Sequence, residues 1–227
     1  MRPGMPLVSP GAGRIPPVPL QQPQNLFRFG EQSIYSTQLF VPGAIASTTN
    51  RMFTVPIGST GQGFTNALTI AETNLKEGGR VPSGVAYDVY GVACQILQSS
   101  AAADGGTFSV AQDTQALISN LINIQNNGVL SWDFTQTVVD ICPVSLAGAG
   151  GGAFGAVAQN AAGANSGAMN NGNGGIWMYK KYPVALPGNS TFSIVVRFGS
   201  RAAAIAGESV GVRVVLLGYY KNVIEIG

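Results

Sequence analysis

The stretch TFSIVVRF, residues 191–198, decides the fold class of this chain. Apolar and other residues alternate along it with a period of two, which is typical of a β-strand with one buried face. Arg197 lies on the face that is directed to solvent. The opposite face carries four apolar side chains that we predict to be in the core: Phe192, Ile194, Val196 and Phe198.

The same alternation recurs along most of the chain, between clusters of Gly, Pro, Asn and Ser. Further runs are SIYSTQLFV at 33–41, RMFTVPI at 51–57, VAYDVYGVACQIL at 85–97, VLSWDFTQ at 129–136, VVDICPVSL at 138–146, IWMYKKYPV at 176–184 and VGVRVVLLGYYKNVIEI at 210–226. Many short strands separated by turn residues are typical of an all-β sandwich or barrel. We therefore predict an all-β fold with eight to ten strands.

Two of these runs predict further core residues. The alternation in 85–97 places four side chains on one face, namely Tyr90, Val92, Cys94 and Ile96. In 129–136 it places three side chains on one face, Leu130, Trp132 and Phe134, and the other three on the opposite face, Ser131, Asp133 and Thr135. We expect the apolar face of 129–136 to pack with the apolar face of 191–198 between two sheets.

One segment has the period of a helix. In DTQALISNLINI, residues 113–124, the apolar residues Leu117, Ile118, Leu121 and Ile122 recur at helical spacing. Asp113 stands where it can cap the first turn. We predict one short amphipathic helix that packs on the sandwich.

Composition divides the chain into an arm and a domain. Residues 1–24 contain seven prolines and no aromatic residue, which predicts an extended arm. Residues 25–227 form the predicted β-sandwich domain. Within it, 19 of the 29 residues from 147 to 175 are Gly or Ala and none is charged, so we predict a long loop that is either ordered by neighbouring molecules or mobile at the surface.

The charge balance excludes several classes of function. Only 10% of the residues are charged and the net charge is +2, so no basic field is available to hold nucleic acid.

The chain has no histidine, the commonest general base and metal ligand. Cys94 and Cys142 are too few for a disulfide framework or a zinc site, and Cys94 is predicted to be a small buried residue. No apolar run is long enough to span a membrane, and no secretory signal is visible.

Few residues qualify as catalytic candidates. A Ser–Lys pair is the remaining nucleophilic arrangement, but the adjacent Lys180 and Lys181 are typical of a strand edge near a turn. Asp133 and Asp140 could form a glycosidase pair, although both are predicted to lie on a solvated face. Glu72, Lys76 and Glu77 fit an exposed turn of helix before a loop. The Gly clusters at 59–64 and 148–152 lack the Lys of a phosphate-binding loop. We predict no enzyme activity, no catalytic site, no metal and no cofactor.

Three stretches resemble the jelly-roll coat proteins of tailless icosahedral bacteriophages and related viruses. They are TNLKEGGRVPSGVAYDVYGVACQI at 73–96, YPVALPGNSTFSIVVRF at 182–198 and VGVRVVLLGYYKNV at 210–223. The second resembles a Pro-containing turn followed by Gly-x-x-Thr-Phe at the start of a strand, and the third resembles a closing strand. The chain is shorter than a double jelly roll, and its arm lacks the basic run of coats that bind their genome. The resemblance implies an antiparallel two-sheet jelly-roll sandwich.

The resemblance also implies a function, namely that the chain is a structural virion protein that assembles with copies of itself, and with other virion proteins, into an icosahedral capsid shell in the host cytoplasm. Direct nucleic-acid binding is not expected. Contact with an internal membrane is compatible with the resemblance, but no residue pattern in the sequence supports it. The alternative is a receptor- or carbohydrate-binding module. Its candidate residues are Trp177 and Tyr179 with Asn170, Asn171 and Asn173.

Overall fold

The computed structural model describes residues 26–43, 45, 50–98, 114–134, 137–148, 157–159, 165–167, 175–200, 202–205 and 209–224. Its strands are β1 (Leu26–Phe40), β2 (Arg51–Met52), β3 (Val85–Gln98), β4 (Gly128–Phe134), β5 (Thr137–Pro143), β6 (Val157–Gln159), β7 (Asn165–Gly167), β8 (Trp177–Met178), β9 (Val184–Leu186), β10 (Ser193–Phe198) and β11 (Val210–Ile224). Helix α1 (Thr114–Asn127) precedes β4, and a 3-10 helix (Val144–Leu146) follows β5.

The strands form two principal antiparallel sheets. The first sheet has the order β1-β11-β3-β8, with β9 also paired to β3, and the second has the order β2-β10-β4-β5. The pairing is nested along the chain, because β1 pairs with β11, β2 with β10, β3 with β8 and β9, and β4 with β5. This confirms the predicted all-β two-sheet sandwich with one α-helix in the described part of the chain.

The predicted core lies between the two sheets. Ile194 pairs with Trp132 and Val196 pairs with Leu130 across β10 and β4, and all four side chains are buried. Phe192 is also buried, with its ring centroid 6.2 Å from that of Trp132. Phe134 and Phe198 are partly buried against the same cluster. The face assigned from the period of two is therefore confirmed for both strands.

The first sheet is longer than the second. Strands β1 and β11 have 15 residues each, whereas β4 and β5 have seven. At about 3.4 Å per residue, the first sheet is about twice as long as the second. Phe40 packs edge-on against Phe198, with centroids 5.7 Å apart, so the sheets are matched at that end. The excess length lies at the opposite end, where β1 begins and β11 ends.

The predicted position of Tyr90 on the core face is wrong. The register of β3 with β11 shifts at this point, because Gly218 pairs with Val89 and Leu217 pairs with Gly91. Tyr90 is the extra residue of this β-bulge, and a bulge moves the buried face of a strand from one parity to the other. Val92 and Cys94 are buried as predicted, and Tyr87 is buried before the bulge. The Tyr90 ring instead packs 5.0 Å from the ring of Tyr219.

Two other predicted elements change in extent. The strand predicted at 51–57 ends at Met52, because Phe53 has a φ of 68° and leaves the extended conformation. Helix α1 continues three residues beyond the predicted end at 124. The Asn127 side chain donates to the backbone oxygen of Asn123 in the last turn, 3.1 Å away. Leu121 and Ile124 are buried, so the helix packs on the sandwich as predicted.

Residues 1–24, Asp113 and Thr135 lie outside the described residues. So does most of the predicted loop at 147–175, but β6 and β7 pair within it as a two-stranded antiparallel sheet. The segment is therefore not entirely a loop. In the part of the chain that the structure describes, no helix is both long and apolar enough to cross a membrane.

Candidate interaction surface

One side of the sandwich carries five of the eleven large apolar side chains that are exposed among the described residues. This side is formed by β5 and the 3-10 helix from the second sheet, and by residues 175–179 around β8 from the first. Five large apolar side chains there are between 44% and 53% exposed: Val138, Val139, Leu146, Ile176 and Met178. We call these five residues the edge face.

Hydrogen bonds and close approaches hold the two edges together at the edge face. The indole Nε1 of Trp132 on β4 donates to the hydroxyl of Tyr179, 2.7 Å away, just after β8. The backbone N–H of Cys94 on β3 donates to the backbone oxygen of Ala147, 2.6 Å away. A Cβ at Gly175 would lie 3.4 Å from the Leu146 oxygen. The edge face thus has a fixed backbone beneath it.

The two valines of the edge face lie on opposite faces of β5. Val139 pairs with Trp132 and shares its inward face, whereas Val138 pairs with Asp133 and shares its outward face. Both valines are nevertheless about half exposed, because β5 is the last strand of its sheet among the described residues. Exposed apolar side chains on both faces of an edge strand are typical of a surface that receives another chain.

The two aspartates considered for glycoside hydrolysis are each paired with a different arginine. Asp133 lies 2.7 Å from the Arg51 Nη2, and its side chain is only 11% exposed, so its prediction as solvated is wrong. Asp140 is 60% exposed, as predicted, and accepts hydrogen bonds from Arg197 and from Ser131. The Arg51 pairing was missed because this partner comes from β2, far away in sequence. The two carboxylates therefore belong to two separate ion pairs.

The other charged candidates have structural contacts or lie in solvent. Lys180 and Lys181 are exposed directly after β8, an edge strand, as predicted. The segment around Glu72 contains a single turn, in which the N–H groups of Glu72 and Thr73 both donate to the Thr69 oxygen at 3.1 Å, and bends follow it as in the predicted loop. The Glu72 carboxylate accepts from the Thr69 N–H and hydroxyl at 2.7 and 2.6 Å, which stabilises the turn. Lys76 and Glu77 are exposed.

Of the residues proposed for the alternative binding module, the structure describes Trp177 and Tyr179. Trp177 and Tyr179 are half-buried and pack against the core, and Tyr179 accepts the Trp132 hydrogen bond. Burial raises the pKa of the Tyr179 hydroxyl. The three asparagines of that prediction, Asn170, Asn171 and Asn173, lie outside the described residues.

A cavity lies beneath the longer end of the first sheet. Its volume is about 350 Å³, and it is lined by aromatic rings from three strands or loops, Tyr87, Phe192 and Tyr220. Polar side chains at its border include Asn74 and Asn222. The sequence pattern does not predict this cavity, because it depends on the difference in length between the two sheets.

The two thiols are buried, as predicted for Cys94. Burial, with a smaller contribution from the neighbouring Cys142, raises the pKa of Cys94 to about 12. Burial raises the pKa of Cys142 to about 11. Among the described residues, no three His, Cys, Asp or Glu side chains are grouped so that they could hold a metal ion.

No protein-family model, curated protein or solved structure matches this chain.

Proposed function

We propose that this chain is a structural virion protein that assembles with copies of itself into an icosahedral capsid shell, and that its sandwich is a jelly roll. The nested pairing supports the jelly roll: the first strand pairs with the last, and each later pair lies inside the previous one. Jelly rolls are common in viral capsids but also in lectins and cupins. The fold alone therefore does not carry the function.

The observation that carries the proposal is the edge face. Soluble monomers seldom expose a cluster of large apolar side chains unless it contacts a partner. The chain also has only 12 basic and 10 acidic residues among 227, so little charge is available to keep a free surface solvated. Both the exposed apolar residues and the low content of charged residues are expected of a shell subunit, because its neighbours bury the apolar surface and less charge is needed for solubility.

Copies of the same chain are the proposed partners, together with other virion proteins, in a virion that assembles in the host cytoplasm. Direct nucleic-acid binding is not part of the proposal. Three arginines are already engaged within the sandwich, Arg51 with Asp133, Arg197 with Asp140, and Arg213 with the Ala71 backbone oxygen. With a net charge of +2, the remaining cations cannot form a broad phosphate-binding field.

Negative-stain electron microscopy of the purified full-length chain tests the proposal, with sedimentation velocity over a wide range of concentration and salt. We expect closed shells or discrete capsomers. A single monomeric species under all these conditions would contradict the proposal.

A second candidate function, a carbohydrate- or receptor-binding module, is favoured by the cavity of Tyr87, Phe192 and Tyr220. Ligand sites are concave, largely apolar and bordered by a few polar groups, and about 300 Å³ is the lower end of their volumes. Screening the purified chain for glycan binding tests this candidate. Binding that is lost in Tyr220→Ala but kept in Tyr182→Ala, a change at an exposed tyrosine outside the cavity, would favour it over the shell.

A further inference from the structure

In the part of the chain that the structure describes, β5 is the last strand of its sheet, and its first four residues contain no lysine, proline or bulge that would prevent pairing with another strand. Its first four residues, Thr137 to Asp140, are all exposed. Lysine, proline and bulges commonly protect an edge. Here the bulge comes only at Ile141, where the register with β4 shifts, and the proline only at Pro143. The segment before the bulge is regular and carries a single charge, on Asp140.

The proposal rests on the proposed self-assembly and identifies one contact within it. We propose that β5 pairs antiparallel with β5 of a second copy across a two-fold axis, so that the second sheets of the two subunits become continuous. The occupant of this edge is therefore the same segment of an identical chain. The remaining residues of the edge face, Leu146, Ile176 and Met178, extend the contact beyond the strand.

The symmetry limits the register of this pairing. A two-fold axis normal to an antiparallel pair of identical strands passes between one residue and its own copy. Centring on Asp140 would require the bulged Ile141 to pair with Val139. Centring on Val139 would require the bulged Ile141 to pair with Thr137. Centring on Val138 avoids both problems and places Thr137 opposite Val139, so we assign the axis to Val138.

Charge also favours a copy of the chain as partner. The Asp140 carboxylate is held by Arg197 and Ser131 of its own subunit, so its charge is offset before the strands meet. Val138 lies on the outward face beside Asp133, whose charge is offset by Arg51. Two such edges therefore approach with apolar side chains and backbone groups, without unpaired like charges.

Disulfide cross-linking through one cysteine introduced into the full-length chain tests the position of the two-fold axis. Directly opposed residues in an antiparallel pair have Cα atoms about 4.5–5.5 Å apart, within the range that a disulfide spans. Under mild oxidation we expect Val138→Cys to form a covalent dimer in high yield. Val139→Cys should form much less, and so should Val41→Cys, which replaces a valine that follows β1 and is 43% exposed, against 52% for Val138. The native thiols are buried, so they should add little background.

A charge substitution gives a second, independent readout. Because Val138 is half exposed, Val138→Lys should fold normally by circular dichroism, yet raise the dissociation constant of the two-fold contact at least about tenfold through like-charge repulsion. Val41→Lys is the matched control and should leave association unchanged.

The outcomes separate this inference from the proposed function. If the wild-type chain forms shells but Val138→Cys gives no dimer and Val138→Lys assembles normally, the β5 contact is wrong and the shell stands. A higher yield from Val139→Cys would overturn the assigned axis. Equal yields from all three cysteine variants would indicate random collision and overturn the contact. If the wild-type chain stays monomeric at every concentration, both proposals fail together.

Discussion

Trp132 donates a hydrogen bond from its indole Nε1 to the hydroxyl oxygen of Tyr179, at 2.7 Å, and this bond joins the two sheets of the sandwich. Trp132 lies on β4 of the second sheet, and Tyr179 follows β8 of the first. The Tyr179 backbone N–H in turn donates to the Tyr90 oxygen, 2.8 Å away, so the acceptor is fixed to β3. The bond therefore holds the sheets together beside the edge face.

Tyr179→Phe should destabilise the fold measurably. The change removes the acceptor and leaves the partly buried indole N–H without its partner, which costs about 1–3 kcal/mol. Urea unfolding followed by tryptophan fluorescence gives the free energy. Tyr182→Phe is the matched control, because that side chain is 73% exposed and should be neutral. Equal effects of the two changes would contradict a stabilising role for this bond.

Truncation of the central aromatic residues tests the core register. Phe192→Ala and Trp132→Ala each leave a cavity that the neighbours fill only partly, so each should cost about 3–5 kcal/mol in unfolding free energy. Val138→Ala, at an exposed position, should change stability by no more than about 0.5 kcal/mol. A value that small for either aromatic residue would mean that the strand faces are assigned incorrectly.

Much of this core could be predicted from the sequence, because the period of two assigns the face of β4 and β10 without any tertiary information. The bulge at Tyr90 could not, because an extra residue in a ladder is defined only by its partner strand, β11. The end of β2 at Met52 could not be predicted from the sequence pattern either. It depends on the positive φ of Phe53, a conformation that an aromatic residue seldom adopts.

The edge face was hidden for a related reason. The run VVDICPVSL has the same local pattern as a central strand, and only the sheet order places β5 last. Likewise, nothing local to Asp133 predicts Arg51 as its partner, because β10 lies between their strands in the sheet. Sequence patterns predict which face is buried, whereas edge positions and ion pairs depend on how strands meet.

The two aspartates should respond differently to the same substitution. Asp133→Asn weakens a pairing in which the carboxylate is almost buried, and a hydrogen bond to a charged group contributes about 1.5–3 kcal/mol. Asp140→Asn changes a pair in which both side chains are about half exposed, which should cost no more than about 1 kcal/mol. Thermal or urea unfolding of both variants at pH 7 provides the comparison. A larger loss for Asp140→Asn would contradict the assigned environments.

The buried thiols predict a loss of stability at alkaline pH. An unfolded thiol ionises near pH 8.5, whereas burial raises the pKa values of Cys94 and Cys142 to about 12 and about 11. The folded chain therefore retains protons that the unfolded chain releases. Stability should be nearly independent of these groups below about pH 7.5, and above pH 8.5 its fall should steepen toward about 1.4 kcal/mol per pH unit for each thiol.

Unfolding curves between pH 7 and pH 10 measure this slope, and the Cys94→Ala, Cys142→Ala double variant is the control. The free energy of unfolding of this double variant should fall less steeply with pH. A further fall in stability is expected above pH 10, because the pKa of Tyr87 is also raised. A thiol reagent at pH 8 should modify the native chain slowly and the unfolded chain at both cysteines. An unchanged slope in the double variant would indicate that the thiols ionise normally in the fold.

Deletion of residues 1–24 should separate folding from assembly. The arm has seven prolines and no aromatic residue, so it cannot form a core of its own, whereas the described core belongs entirely to residues 26–224. Its Leu, Val and Ile residues can still add apolar contact with a neighbour, and permanent interfaces commonly bury more than about 2,000 Å² in total. We expect the truncated chain to keep its circular dichroism spectrum and unfolding midpoint but to sediment as smaller species than the full-length chain.

The β5 cross-link through Val138→Cys should survive the deletion, because that contact does not involve the arm. If the full-length and truncated chains assemble equally well, the arm has no role in the shell, and if both remain monomeric, the cavity-binding alternative takes its place.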